Sequence, residues 1–384
     1  MHVTRRAFSI GTGIGFLASA AGAVAQPRGN SPAPNADAAS VLTELREQFP
    51  IPALSAAVVR DGELAWAEAQ GLADIELKVA AGPGSLFRIG SVSKVVTAAI
   101  GARLAQAGTI DLDAPISTYR PDLPQPHRAT TLRQLYNHQG GVRHYGAKDF
   151  DFAAPGGPID LRFFRGTDDA LALFIDDPLV AEPGGAPSYS TFGYTLASAV
   201  LESAGGKDFV QLIADEVTAP LGLDELSPDY LFEPVAGRVG NYDVPQFYGR
   251  LGLPVPQVPV VKSVMSNPGY KWAGGGIVAS ARNLARFGAA HLSDGYLAPA
   301  SRATLFTPRT AASPQMPALG LGWRLDEAEG FGRRFHHAGN MQGCRAQLAL
   351  YPDKGLSVAL LSNLGQTPGN ILAYTDRIAA AFAA

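Results

Sequence analysis

The chain has 384 residues, with 31 Lys and Arg against 34 Asp and Glu and a formal net charge of −3. Hydrophobic residues make up 46% and charged residues 17%, enough apolar material for a large core and the wrong balance for a disordered chain. No basic run occurs, so the electrostatic footprint of a nucleic-acid binder is missing.

The N-terminus reads as an export signal. Thr4-Arg5-Arg6-Ala7-Phe8 is followed by an apolar stretch from Ile10 to Val24 and by Ala23-Val24-Ala25 before Gln26. A basic start, a short apolar run and a small-x-small site predict a signal peptide over residues 1–25. The paired arginines point to the twin-arginine type, hence a periplasmic or secreted bacterial protein. The run is short and rich in Gly and Ala, so no stable membrane insertion is expected after cleavage. Gly11-Thr12-Gly13-Ile14-Gly15 lies inside this signal and follows no strand, so it is not a dinucleotide loop. Cys344 is the only cysteine, which excludes an internal disulfide.

Residues 26–36 form a Pro/Gly/Ser/Asn tether expected to be disordered. Val41, Leu42, Leu45 and Phe49 then fall at helical spacing. Ala53 to Val59 and Leu64 to Gln70 read as strands joined by a turn at Asp61-Gly62. Ser91 to Ala107 is a strongly apolar helix ending at Gly108, and its all-round hydrophobicity predicts a central position. Short helices are expected over Thr131–His138, Ala170–Ile175, Phe192–Ala204 and Phe209–Val217. The proline-rich stretch from Asp243 to Gly269 reads as a long surface loop. Gly322–Asp326, Arg345–Tyr351 and Leu356–Ser362 read as strands, and Ile371–Phe382 as a closing helix. Strands at both ends with a helical middle give an α/β fold of the α+β type. Residues 37–112 and 270–384 would form an α/β domain, and 113–269 an inserted helical and loop domain.

Three segments could carry chemistry. In Ser91-Val92-Ser93-Lys94 the first and last residues share a helix face, with Ser91 near unpaired backbone amides. The pair alone is a weak signal, satisfied equally by an N-cap serine and a surface lysine. However, Lys94 is the only charge between Arg88 and Arg103, and a buried lysine needs a reason. Next, the Gly/Pro loop beginning at Pro183 delivers Tyr189 just before a helix. A tyrosine beside a cation ionises more easily and can act as a base, although a tyrosine there is as readily a packing residue. Finally, His336-His337-Ala338-Gly339-Asn340 leads into a late strand. Gly339 permits close approach of a substrate and the Asn340 amide could stabilise an oxyanion, whereas adjacent histidines alone could be a surface pair.

In order and setting these segments resemble the serine β-lactamase/penicillin-binding family, in particular its class C and esterase branch. The resemblance spans roughly residues 37 to 384. It is strengthened by Phe87-Arg88-Ile89-Gly90, by Gly108 to Pro115, by Thr131 to His138 and by Ala273-Gly274-Gly275-Gly276. The runs Tyr189 to Leu196 and Tyr270 to Gly276 look most like the mitochondrial serine β-lactamase-like proteins and their bacterial relatives. The resemblance implies an antiparallel sheet flanked by helices and an acyl-enzyme on Ser91. Lys94 would activate it, Tyr189 would shuttle the proton, and the amides of Ser91 and Asn340 would form the oxyanion hole. No cofactor is implied, and no metal-ligand spacing is visible among the histidines.

Two departures bear on substrate. Thr191 stands where the family's second motif usually has Asn, putting in doubt the usual hold on Lys94 and on a substrate amide. His337-Ala338-Gly339 replaces Lys-Thr-Gly, exchanging a permanent cation for a group largely neutral at pH 7. Thr191, His337, Gly339 and Asn340 are the expected substrate-binding residues, and His144 and Tyr145 are candidates for the pocket wall. The expected function is an esterase or peptidase on small acyl substrates, with small esters, peptides or β-lactams as partners. The alternatives are a D-alanyl-D-alanine carboxypeptidase or β-lactamase, and a non-catalytic binding or assembly protein on the same fold. An α/β-hydrolase is excluded because no Gly-x-Ser-x-Gly occurs.

Overall fold

The computed structural model describes residues 35–250, 252, 254–310 and 317–383. The export signal and most of the tether lie outside them. Asn35, near the end of the tether, caps helix α1 (Ala36–Gln48) by accepting the Ala38 amide at 3.0 Å.

Along the chain the strands are β1 (Ala53–Arg60), β2 (Glu63–Asp74), β3 (Val79–Ala80), β4 (Phe87–Arg88), β5 (Leu226–Pro228), β6 (Tyr242–Asp243), β7 (Val261–Lys262), β8 (Ile277–Ala279), β9 (Ala318–Leu319), β10 (Arg324–Ala328), β11 (Gly332–Met341), β12 (Cys344–Tyr351) and β13 (Leu356–Ser362). The main sheet is antiparallel, in the order β3-β2-β1-β13-β12-β11-β10-β9. Its first and last parts come from opposite ends of the chain and meet where β1 pairs with β13, Ala57 opposite Ala359. That central position explains why β1 is buried from Ala53 to Val59.

One face of the sheet is covered by α1 and by the helix Ile371–Ala380, which enclose Leu42, Leu45, Trp66, Leu360 and Ile378. The other face packs on the helix Ala281–Ala289 and on helix α2 (Ser93–Gln106). The core on that side runs on without a break into the helical middle of the chain, through Leu132, Phe174, Phe192 and Leu196. A small sheet, β4-β8-β5, sits at the head of α2 and aims the segment that follows β4.

Several boundaries differ from the sequence reading. Ser91 lies not in the α-helix but in a tight 3₁₀ turn, Gly90–Val92, with α2 beginning at Ser93. The first short helix of the middle region spans only Leu132–Tyr136, because the chain turns at His138 with φ of +63°. Thr167–Leu171 is helical instead of Ala170–Ile175. The stretch expected to be a surface loop holds β7, paired with β6, a short helix Gln246–Arg250, and buried Ser266 and Asn267. The late strand starts at Gly332, so His336 to Asn340 lie within β11 instead of leading into it. Among the described residues no helix is long and apolar enough to cross a membrane.

Candidate active site

Ser91 is held by the meeting of three elements. β4 delivers it: the Ile89 amide bonds the Ile277 carbonyl of β8 at 3.0 Å, and Gly90 turns the chain with φ of +49°. β11 closes on the same turn from the other side. A Cβ at Gly339 would lie 1.9 Å from the Ile89 carbonyl oxygen, and one at Gly90 would lie 2.9 Å from the Asn340 amide nitrogen. Only glycines allow this approach, which brings the Asn340 backbone to the edge of the nucleophile turn. The Asn340 side chain points elsewhere, accepting the Gln366 amide at 3.1 Å.

Lys94 follows one turn on and is completely buried. Its ammonium donates to Ser91 Oγ at 3.2 Å, to Thr191 Oγ1 at 3.2 Å and to the Gly274 carbonyl at 2.6 Å. Burial pushes its pKa down, against the pull of Tyr189. The hold on Lys94 that Thr191 put in doubt is therefore kept: a hydroxyl supplies one acceptor and the Ala273-Gly274 backbone another. Tyr189 donates to Ser91 Oγ at 2.8 Å, with the Lys94 ammonium 4.8 Å from its ring centroid. Burial favours the neutral phenol, but the nearby Lys94 charge, helped by the hydrogen bond at Ser91, outweighs it, so its pKa falls.

Two histidines brace the Tyr189 loop. The Ser190 amide donates to His138 Nδ1 at 3.2 Å, and the Thr191 amide to His144 Nδ1 at 3.1 Å. Nδ1 must be unprotonated to accept, so both rings are neutral. Burial, reinforced by nearby cations, holds His138 well below its usual range and His144 at about 4. The His138 ring also packs on Tyr189, with centroids 4.4 Å apart.

His337 and His336 face opposite sides of β11 and both are buried. His336 lies 3.3 Å from Asp326. His337 donates Nδ1–H to the Ala338 carbonyl at 2.8 Å, and burial with the charges of Arg324 and Lys94 keeps it neutral. It cannot replace the missing lysine as a cation. Arg324 is a permanent cation in the same place: it lines a small cleft together with Tyr189, His138 and His337. Among the described residues it makes no ion pair and no side-chain hydrogen bond. Nothing in the sequence sets Arg324 apart from the other arginines. Lys271 has a clearer signature, since it stands alone in the apolar run Tyr270 to Ile277, as Lys94 does near the start of α2. It is buried, donates to Tyr270 at 2.9 Å and lies 3.5 Å from Asp160.

Ser91, Lys94, Tyr189, Thr191, His337 and Gly339 are thus gathered at one place. Among the described residues no group of three His, Cys, Asp or Glu side chains is placed to share a metal ion.

The layered sheet and this serine–lysine–tyrosine cluster define a protein of the β-lactamase and penicillin-binding type. The chain belongs to the beta-lactamase family, whose model matches residues 38–381. It is 27% identical over 349 residues to the serine beta-lactamase-like protein LACTB, mitochondrial, of Homo sapiens, covering 70% of this chain and 61% of that protein. It is 29% identical to esterase EstB of Burkholderia gladioli, covering 83% of this chain and 87% of the esterase. Penicillin-binding protein 4 of Amycolatopsis lactamdurans is 28% identical, with 84% and 83% covered. In fold it matches the D-amino acid amidase of Ochrobactrum anthropi with a TM-score of 0.77 at 23% identity, over 91% of this chain and 98% of that one.

Proposed function

We propose that the protein is a serine hydrolase that works through an acyl-enzyme on Ser91 and accepts small esters and peptide-type amides. The observation that carries this reading is the convergence of Tyr189 at 2.8 Å and Lys94 at 3.2 Å on Ser91 Oγ. The three N–H bonds of Lys94 meet three acceptors, the pattern of an ammonium ion. Once its phenol has lost its proton, Tyr189 is then the group that takes the serine proton, with the Lys94 ammonium stabilising the phenolate. Attack on a substrate carbonyl gives a tetrahedral oxyanion, for which the backbone amides of Ser91 and Asn340 are the donors. Tyr189 returns its proton to the leaving group. Water, deprotonated by the same tyrosine, then releases the acyl group. The names of the relatives, an esterase and a penicillin-binding protein, support the same class. The basic and apolar residues 1–25 support export to the periplasm or beyond.

The test is hydrolysis of p-nitrophenyl butyrate by wild type and by Ser91→Ala. Wild type is expected to turn over, and the variant to lose at least about a thousandfold. Equal activity in both removes Ser91 from the chemistry. An inert wild type, toward amides as well as esters, favours a non-catalytic protein on the same fold.

Arg324 favours a second reading: a carboxypeptidase or β-lactamase activity on substrates with a carboxylate near the scissile bond. His337 alone weakens such recognition, but an unpaired guanidinium in the same cleft is suited to a carboxylate. Arg324→Gln should then cost at least about tenfold in kcat/KM on a C-terminal dipeptide or nitrocefin, and little on the uncharged ester. A loss of equal size on both substrates sinks the reading.

A further inference from the structure

A cavity of about 560 Å³ lies outside the cleft lined by Tyr189 and His337, within the size range of ligand pockets. Its walls are Phe150, Phe152, Leu161, Phe247, Val264 and Met265, contributed by the loops after Tyr145 and before Tyr270. Two polar residues, Asp160 and Gln342, also line it. The Asp160 carboxylate is not free to bind a polar ligand group strongly. Asp160 Oδ1 accepts from Ser266 at 2.9 Å and Tyr270 at 3.1 Å, with Lys271 3.5 Å away, and its Oδ2 accepts from Gln342 Nε2 at 3.0 Å. The carboxylate is satisfied within the protein, so what the cavity offers an occupant is mainly apolar surface.

The wall of the cavity is tied to the catalytic frame. Gln342 stands two residues beyond Asn340, just past the end of β11. Arg88, two residues before Gly90, donates to the Gln342 carbonyl at 3.4 Å and to the Ser266 carbonyl at 3.0 Å, and pairs with Asp229 at 2.7 Å. One buried cation therefore ties the cavity wall to the nucleophile turn. On the other side Phe150 packs edge-on against Tyr145, which itself packs against Phe192 at the start of the helix that follows Tyr189. Several wall residues remain open to solvent: Phe152 is 78% exposed, Met265 57% and Leu161 44%. Large apolar side chains left exposed around a concave site mark a place where an apolar group is meant to sit.

We propose that this cavity binds the hydrophobic part of the substrate acyl group, so that the preferred substrates carry a medium-length aliphatic or aromatic acyl chain. The proposal rests on the acyl-enzyme reading above. Each methylene transferred from water into an apolar pocket is worth up to about fourfold in kcat/KM.

The experiment is a series of p-nitrophenyl esters from acetate through butyrate and hexanoate to octanoate, each below its aggregation limit. kcat/KM is expected to rise at least about tenfold from acetate to hexanoate. In Met265→Glu the hexanoate-to-acetate ratio should fall at least about tenfold, because a carboxylate then faces the chain. Met265 is exposed, so the variant is expected to fold, and its melting temperature checks this. Leu161→Glu, at another exposed residue of the wall, serves as a second variant with the same expected effect. If acetate is hydrolysed but the series is flat, the acyl-pocket inference falls while the hydrolase reading stands. If every ester and amide is inert, the hydrolase reading itself falls. A flat series with a dimer that Met265→Glu dissociates would assign the face to a second copy of the chain and overturn the proposal.

Discussion

Lys94 sits in a place where a charge is expensive, and its neighbours account for how it stays. Ser91, Thr191 and the Gly274 carbonyl each accept one of its N–H bonds, and the rings of Tyr189 and Tyr194 lie within 5.2 Å of its nitrogen. Thr191→Val keeps the shape and removes one acceptor. A hydrogen bond to a charged group is worth about 1.5–3 kcal/mol, so kcat/KM on an ester should fall roughly tenfold or more. Losing an acceptor also favours neutral Lys94, so the alkaline limb of the pH–rate profile should move to lower pH. An unchanged rate and profile would show that Thr191 does not hold the lysine. This isolated lysine in an apolar helix is why Ser91 and Lys94 were readable from sequence. Lys271 carried the same signal. Arg324 did not, because nothing in a short strand distinguishes an arginine facing a cleft from one facing water.

At the scale of elements, β11 does two things at once. It pairs with β12, Gly339 opposite Ala346 and Asn340 opposite Arg345, and it presses on the turn that carries Ser91. Gly339→Ala would put a methyl group against the Ile89 carbonyl, so β11 or the nucleophile turn must retreat. The loss of one oxyanion donor costs about 10²–10³ in rate, and a fall of that order in kcat is expected. The sheet core should stay intact, so circular dichroism at 25 °C should match wild type while the ester assay does not. Full activity would mean that the strand does not set the oxyanion geometry. Alternating and continuous apolar runs made β1, β12 and β13 legible in the sequence, and glycine marked the end of α2. The segment from Asp243 to Gly269 was not legible. Its short strands and helix are held by contacts far along the chain, such as the Ser263 hydroxyl bonding Asp243 and the Asn267 amide reaching the Arg162 carbonyl at 2.8 Å. Local periodicity cannot reveal such contacts, and the cavity walls come from these segments.

For the whole molecule the buried histidines dominate the response to acid. His138, His144, His291 and His337 are all depressed, chiefly by burial, with His144 and His291 at about 4. Lys94 adds to the effect at His138, His144 and His337, and Arg302 adds to it at His291. In the unfolded chain a histidine titrates near 6.5. Between about pH 6.5 and pH 4 the unfolded state therefore binds more protons than the folded one, and stability rises with pH. The contribution is complete above pH 6.5 and is lost as pH falls through that window, at up to about 1.4 kcal/mol per pH unit for each histidine. Burial raises Glu202 and Asp243, which act in the opposite direction, but with His127 and His336, also lowered by burial, six histidines outnumber these two carboxylates. Thermal melts at pH 7, 6 and 5 should show Tm falling by several degrees across the last unit. His291 lies away from Ser91, enclosed by Phe287, Tyr296, Phe306 and Trp323, so His291→Asn should flatten the dependence without touching the chemistry. A Tm constant from pH 7 to 5 in wild type would mean that these imidazoles reach water more readily than their burial implies. Neutral His138 and His144, on which the placement of Tyr189 depends, would then have to be reconsidered as well.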